Sequence, residues 1–160
     1  MPFALAQHGR GTGYNPKVSW AEFRYATKWA LCQLMDQRLV RHLKINLIHL
    51  KPKSARAECE GIRIGDNNPR TFKVHVSNLP THRRKTVLKL LFHELTHVKQ
   101  YATGQLWDHE TMPETVYNGR TYRRGKNMPI YKNQPWEKEC WKSELELLER
   151  YEKMVDKPDF

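Results

Sequence analysis

The chain has 160 residues, and 28 Lys and Arg against 17 Asp and Glu give a net charge of +11 with the eight His neutral. A hydrophobic fraction of 39% with 11% aromatics suffices for one compact core and excludes a chain disordered throughout. No apolar run approaches the roughly 18 residues of a membrane-crossing helix, and residues 1–9 carry neither the charged nor the long apolar stretch of a secretory signal, so a cytoplasmic protein without a membrane partner is expected.

Residues 7–17 are rich in Gly, Asn and Pro, so 1–18 reads as a flexible arm ahead of a single domain over 19–156. Ser19 with Glu22 forms a capping box for a first helix. Trp20, Phe23, Thr27, Leu31, Leu34 and Leu39 carry its helical spacing to about His42. Three short strands follow, at Ile45–Leu50, Glu58–Ile64 and Thr71–Ser77. The last two flank the turn Gly65-Asp66-Asn67-Asn68-Pro69, which predicts a hairpin in a small, mostly antiparallel sheet. A second helix runs from about Thr81 to Ala102 and stops at Gly104, its apolar face formed by Leu88, Leu91, Phe92, Leu95 and Val98. Between 104 and 135, Thr115–Tyr122 reads as a hairpin turning at Asn118-Gly119. A third helix starts after Pro135 and reaches about Val155, with Trp141, Leu145 and Leu148 as its apolar positions. The fold class is α+β.

Three cysteines, Cys32, Cys59 and Cys140, lie far apart. Without a Cys-x-x-Cys pair they exclude a zinc ribbon and a thioredoxin-type motif, and they suit a reducing compartment.

The second helix contains His93-Glu94-Leu95-Thr96-His97. Imidazoles four residues apart lie one turn apart on one face, so both reach one metal ion. Neutral imidazole suits Zn2+, which favours four-coordination. Glu94 then stands beside a metal-activated water as general base, and later as acid toward a leaving amine. A shuffled chain of this composition yields the pattern only about 0.03 times. For a third ligand the residues leave several candidates. Asp108, His109, Glu110 and Glu114 follow in the loop, and Glu137 and Glu139 open the third helix. Gln100 and Thr103 stand where a metzincin has Gly and His, which removes that subclass.

The run His93–Gln100, followed by Pro135-Trp136-Glu137-Lys138-Glu139-Cys140, resembles a minimal zincin of the gluzincin type. The order of helix, strands, His-Glu-x-x-His helix and Glu helix is also similar to SprT-like domains and to phage-encoded metallopeptidases. The resemblance covers roughly residues 19–150. It implies a compact zincin-like domain and a zinc metallopeptidase that hydrolyses peptide bonds in a protein or peptide. Its metal ligands would be His93, His97 and Glu137, with Cys140 in the place of the family's Ala. Position 141, where the gluzincin pattern often has Asp, holds Trp141. By the same resemblance an exposed edge strand binds the substrate backbone, and Thr71–Val76 is the candidate. If the chain is a phage's, virion association is also expected.

Tyr117, Tyr122 and Tyr131 lie between the ligand segments and are candidate oxyanion donors. Glu144, Glu146, Glu149 and Glu152, interleaved with Lys142 and Lys153, read as a solvated helix face. Basic clusters occur at Lys51, Lys53 and Arg56, at Arg83-Arg84-Lys85, and at Arg120, Arg123, Arg124 and Lys126, the last interleaved with tyrosines. They suit a nucleic acid or an acidic partner. The rival functions are a nucleic-acid-associated module, which includes a protease acting on DNA-bound proteins, and a structural phage component retaining the fold.

Overall fold

The computed structural model describes residues 4–8, 18–48, 57–62, 68–76 and 83–156. Its elements in chain order are β1 (Ala4–His8), α1 (Trp20–Leu34), α2 (Gln37–Val40), β2 (Lys44–Ile48), β3 (Ala57–Ile62), β4 (Thr71–Val76), α3 (Arg84–Ala102), β5 (Leu106–Asp108), β6 (Glu114–Tyr117), β7 (Arg120–Arg123), a 3-10 turn (Tyr131–Asn133) and α4 (Pro135–Val155). The architecture is α+β, as expected. No helix among the described residues is long and apolar enough to cross a membrane.

Ser19 caps α1 by accepting from the Glu22 amide. The Glu22 carboxylate does not close a capping box. It accepts instead from Arg84 and Tyr151, tying α1 to α3 and α4. The expected continuous helix to His42 is two helices. Met35 is extended (φ −151°, ψ 170°), and the Asp36 carboxylate then caps α2 by accepting from the Arg38 amide. A capping aspartate favours a fresh start over continuation.

The four-stranded sheet has the order β1-β2-β4-β3. β1, β2 and β4 are parallel, and β3 alone runs antiparallel, against β4. The sheet is therefore not mostly antiparallel. The α1–α2 connection carries the chain from β1 back to start β2 in the same direction, which is what a helical crossover does. Within the segment read as an arm, Ala4–His8 pairs with β2. The antiparallel pairing expected across Gly65–Pro69 is present, with Ala57 opposite Val76 and Ile62 opposite Thr71, while residues 63–67 of the turn lie outside the described residues. Its strand β4 is flanked on both sides, so it is not an edge, and the expectation of an edge at Thr71–Val76 is corrected. Strand order depends on pairings between distant segments, which local sequence does not encode.

β4 alternates strictly, with Phe72, Val74 and Val76 buried. Together with Ile45 and Leu47 they meet the apolar faces of α1 and α3. All five residues expected on the apolar face of α3 are fully buried. Trp29, Phe92 and Tyr151 cluster at ring separations of 5.3–6.0 Å and join α1, α3 and α4. α3 ends where expected. Gly104 adopts φ +75°, and a Cβ there would meet the Asn68 amide at 3.0 Å. Arg70 donates to the Ala102 carbonyl at 2.8 Å, which satisfies one of the helix's last acceptors.

A second sheet, β5-β6-β7, packs through Leu106 and Tyr122 on Trp136 of α4. Its hairpin turns at Asn118 (φ 49°) and Gly119 (φ 79°), both left-handed, as a two-residue Asn-Gly turn requires. The outer edge of β7 is covered by Asn127. Its side chain accepts from the Arg123 amide and donates to the Thr121 carbonyl.

Candidate metal centre

The centre lies where α3 packs against α4. From α3 come His93, Glu94 and His97, which are 8%, 5% and roughly one-tenth exposed. A helix buried on its apolar face should reject these groups. They are accepted because α4 meets them with a polar face of its own.

That face is a correction. α4 buries Glu137, Cys140, Glu144, Leu147 and Tyr151, at intervals of three and four residues. Of the positions expected to be apolar and buried, Leu145 is 57% exposed, and Trp141 and Leu148 are only partly covered. Pro135 sits in the first turn, where its missing N–H costs nothing.

The two imidazoles are 5.1 Å apart, ring to ring, and inclined at 73°. Nε2 of His93 lies 3.0 Å from Glu137 Oε2, and Nε2 of His97 lies 3.2 Å from Glu137 Oε1. Two ligands of a tetrahedral ion with bonds of ~2.0–2.1 Å stand about 3.3 Å apart. Each imidazole is thus at ligand spacing from the Glu137 carboxylate. His93, His97 and Cys140 also form a largely buried group whose ligand atoms lie within 4.8 Å of one another and could hold a metal ion. Cys140 Sγ is 3.5 Å and 3.7 Å from the two ring nitrogens of His97. That near-equality sets the sulfur beside the ring rather than on the axis of either nitrogen's lone pair.

The other ring nitrogens are engaged. His93 Nδ1 meets Glu144 Oε2 at 2.9 Å, and His97 Nδ1 meets Gln100 Oε1 at 2.9 Å. Such outer partners aim a histidine's remaining nitrogen at a metal. Glu144 was expected on a solvated face. Only its seven-residue spacing from Glu137 marks it as a member of the same face.

Three carboxylates around two imidazoles make a cage that favours cations. Burial works against a charged His93, but hydrogen bonds to Glu137 and Glu144 outweigh it and raise its pKa to about 9. His97 is raised as well. There too, burial opposes the charge and Glu137 overrides it. Burial alone would raise Glu137, yet the two histidines bring it down to about 2.

The remaining candidates lie apart. Glu139 faces away from the histidines and accepts from Lys99, Gln100, Gln105 and Tyr117. Asp108 accepts from Tyr101 and Thr115, the His109 ring accepts from the Thr111 and Met112 amides, Glu114 pairs with Arg123, and Glu110 is exposed. Of the three tyrosines, Tyr117 serves Glu139 and Tyr122 meets Trp136 edge-on. Tyr131 reaches the centre: its hydroxyl donates to Glu137 Oε2 at 3.0 Å, although the residue as a whole is 60% exposed. Burial around that hydroxyl and the Glu137 carboxylate raise its pKa, so it stays protonated and remains a donor.

No family model, curated protein or solved structure matches this chain.

Proposed function

We propose that the chain is a zinc metallopeptidase of minimal zincin type, with Zn2+ held by His93, His97 and Glu137. The observation that carries this reading is the convergence of both Nε2 atoms on one carboxylate at 3.0 and 3.2 Å, with Glu94 in the next position of the helix. Ligand type supports zinc, since two imidazoles and a carboxylate are a common catalytic set that leaves a position for water. A zinc ion supplies water of lowered pKa and polarises a carbonyl. Glu94 takes the proton of the attacking water and returns it to the departing amine. Glu144 and Gln100 hold the rings, and the Tyr131 hydroxyl is the donor available to an oxyanion. An extended peptide is the fitting substrate. With β4 internal, the antiparallel edge strand β3 takes over as the strand for backbone pairing.

The test is hydrolysis of an unfolded protein substrate by the zinc-loaded chain beside Glu94→Gln. The variant is expected to keep its zinc and lose activity by about 10²–10⁴-fold. Equal cleavage by both would place the activity elsewhere.

A second reading, nucleic-acid association, is favoured by residues 115–136, which hold five Lys and Arg and no Asp or Glu. Arg120, Arg124 and Lys126 are exposed at the β7 end. DNA affinity that falls steeply with salt would support it. The Arg83–Lys85 cluster contributes less, because Arg84 and Lys85 pair with Glu22 and Glu152. The 51–56 cluster lies outside the described residues.

A further inference from the structure

We propose that Gln100, locked by Glu139 and the Trp136 carbonyl, is a positioning residue that decides which nitrogen of His97 faces the metal. Gln100 is fully buried one turn beyond His97. Its Nε2 donates to the Trp136 carbonyl at 2.9 Å and to Glu139 Oε2 at 2.8 Å. Both partners only accept, so the amide has one admissible orientation. Oε1 is thereby turned to His97 Nδ1. A carbonyl oxygen only accepts, so Nδ1 carries a proton. Nε2, 3.2 Å from Glu137, is then the nitrogen that offers a lone pair to an ion.

Glu139 is held in turn. One oxygen accepts from Lys99 at 2.6 Å, and the other accepts from Gln105 at 2.8 Å and Tyr117 at 2.7 Å as well as from Gln100. Gln105 precedes β5 and Tyr117 ends β6, so the small sheet fixes the carboxylate that fixes the amide. His93 is oriented by a carboxylate and His97 by a neutral amide, which limits the negative charge gathered around the site. The consequence for metal affinity rests on the zinc reading above; the hydrogen bond itself does not.

The experiment records long-range proton–nitrogen spectra of the histidines, metal-free and with Zn2+. It is paired with Zn2+ affinity by chelator competition. The proteins are wild type, Gln100→Leu, Glu139→Gln and Lys99→Met. In wild type a sharp, slowly exchanging His97 Nδ1–H is expected in both states. In Gln100→Leu it broadens, and affinity falls by about 10–100-fold. Glu139→Gln, which keeps the volume and serves if Gln100→Leu does not fold, loses about tenfold. Lys99→Met, which touches the other oxygen, loses less than about threefold. The His93 Nδ1–H, held by Glu144, stays unchanged throughout. An unchanged His97 signal with unchanged affinity in the first two variants overturns the proposal. So does an equal loss in all three accompanied by movement of the His93 signal, which marks a merely structural network. A wild type that shows the protected His97 Nδ1–H but binds no Zn2+ supports the positioning contact and contradicts the zinc reading.

Discussion

The two helices that enclose the centre, α3 and α4, are built on opposite rules. α3 buries an unbroken apolar stripe, Leu88, Leu91, Phe92, Leu95 and Val98, and carries the two histidines beside it. α4 buries Trp136 at its start, turns Glu137, Cys140 and Glu144 toward the site, and buries Leu147 and Tyr151 farther on. α3 is anchored by hydrophobic contact and can present its histidines rigidly. α4 is held near the site by the carboxylates that accept from those histidines. The stability of the fold and the affinity of the site should therefore separate by helix.

The largest effect that separates them is expected on α3. Phe92→Ala should cost about 3–5 kcal/mol in a urea titration, because it empties the junction with Trp29 and Tyr151. Its metal stoichiometry should survive wherever the variant is folded. On α4, Glu144→Gln should weaken Zn2+ by about 10–100-fold in chelator competition, through loss of the negative charge on the His93 Nδ1 partner. A Phe92→Ala variant that is fully stable, or a Glu144→Gln variant with wild-type affinity, would erase the contrast.

A subtler effect is expected with pH. The folded metal-free protein binds protons at His93 more tightly than the unfolded chain does. That stabilisation is complete below about pH 6.5 and is lost as pH rises through about 9. The Glu137 contribution is present above about pH 4.5 and is lost as pH falls toward 2. Thermal midpoints of metal-free protein should therefore be highest between about pH 4.5 and 6.5. Zinc should remove the alkaline decline by replacing the protons. An alkaline decline of the same size with saturating zinc would place its cause outside the centre. The smallest effect is reserved for Leu145→Ser, expected to change stability by less than about 0.5 kcal/mol because its side chain is exposed.

The same contrast explains what could be read in advance. α3 was legible because its apolar spacing, its Gly104 stop and His93-Glu94-Leu95-Thr96-His97 all point one way. The boundaries of α4 were legible from Pro135 and its length, but its buried face was not. A periodicity argument seeks apolar residues, and it selected Trp141, Leu145 and Leu148. The helix instead turns its carboxylates inward because two imidazoles await them. Glu144 looked like one more solvated glutamate among lysines. Gln100 served to exclude a metzincin, while its hold on His97 depends on Trp136 and Glu139, some forty residues away. The parallel pairing of β1, β2 and β4 was likewise a matter of distant partners.

The most direct test of the account is the zinc content of the purified protein, measured for wild type, His97→Ala, Glu137→Ala and Cys140→Ala. The account predicts one zinc per chain in wild type and in Cys140→Ala, and loss or marked weakening in the other two. Zinc kept in Glu137→Ala and lost in Cys140→Ala would contradict it, and would move the third ligand from the carboxylate to the thiol.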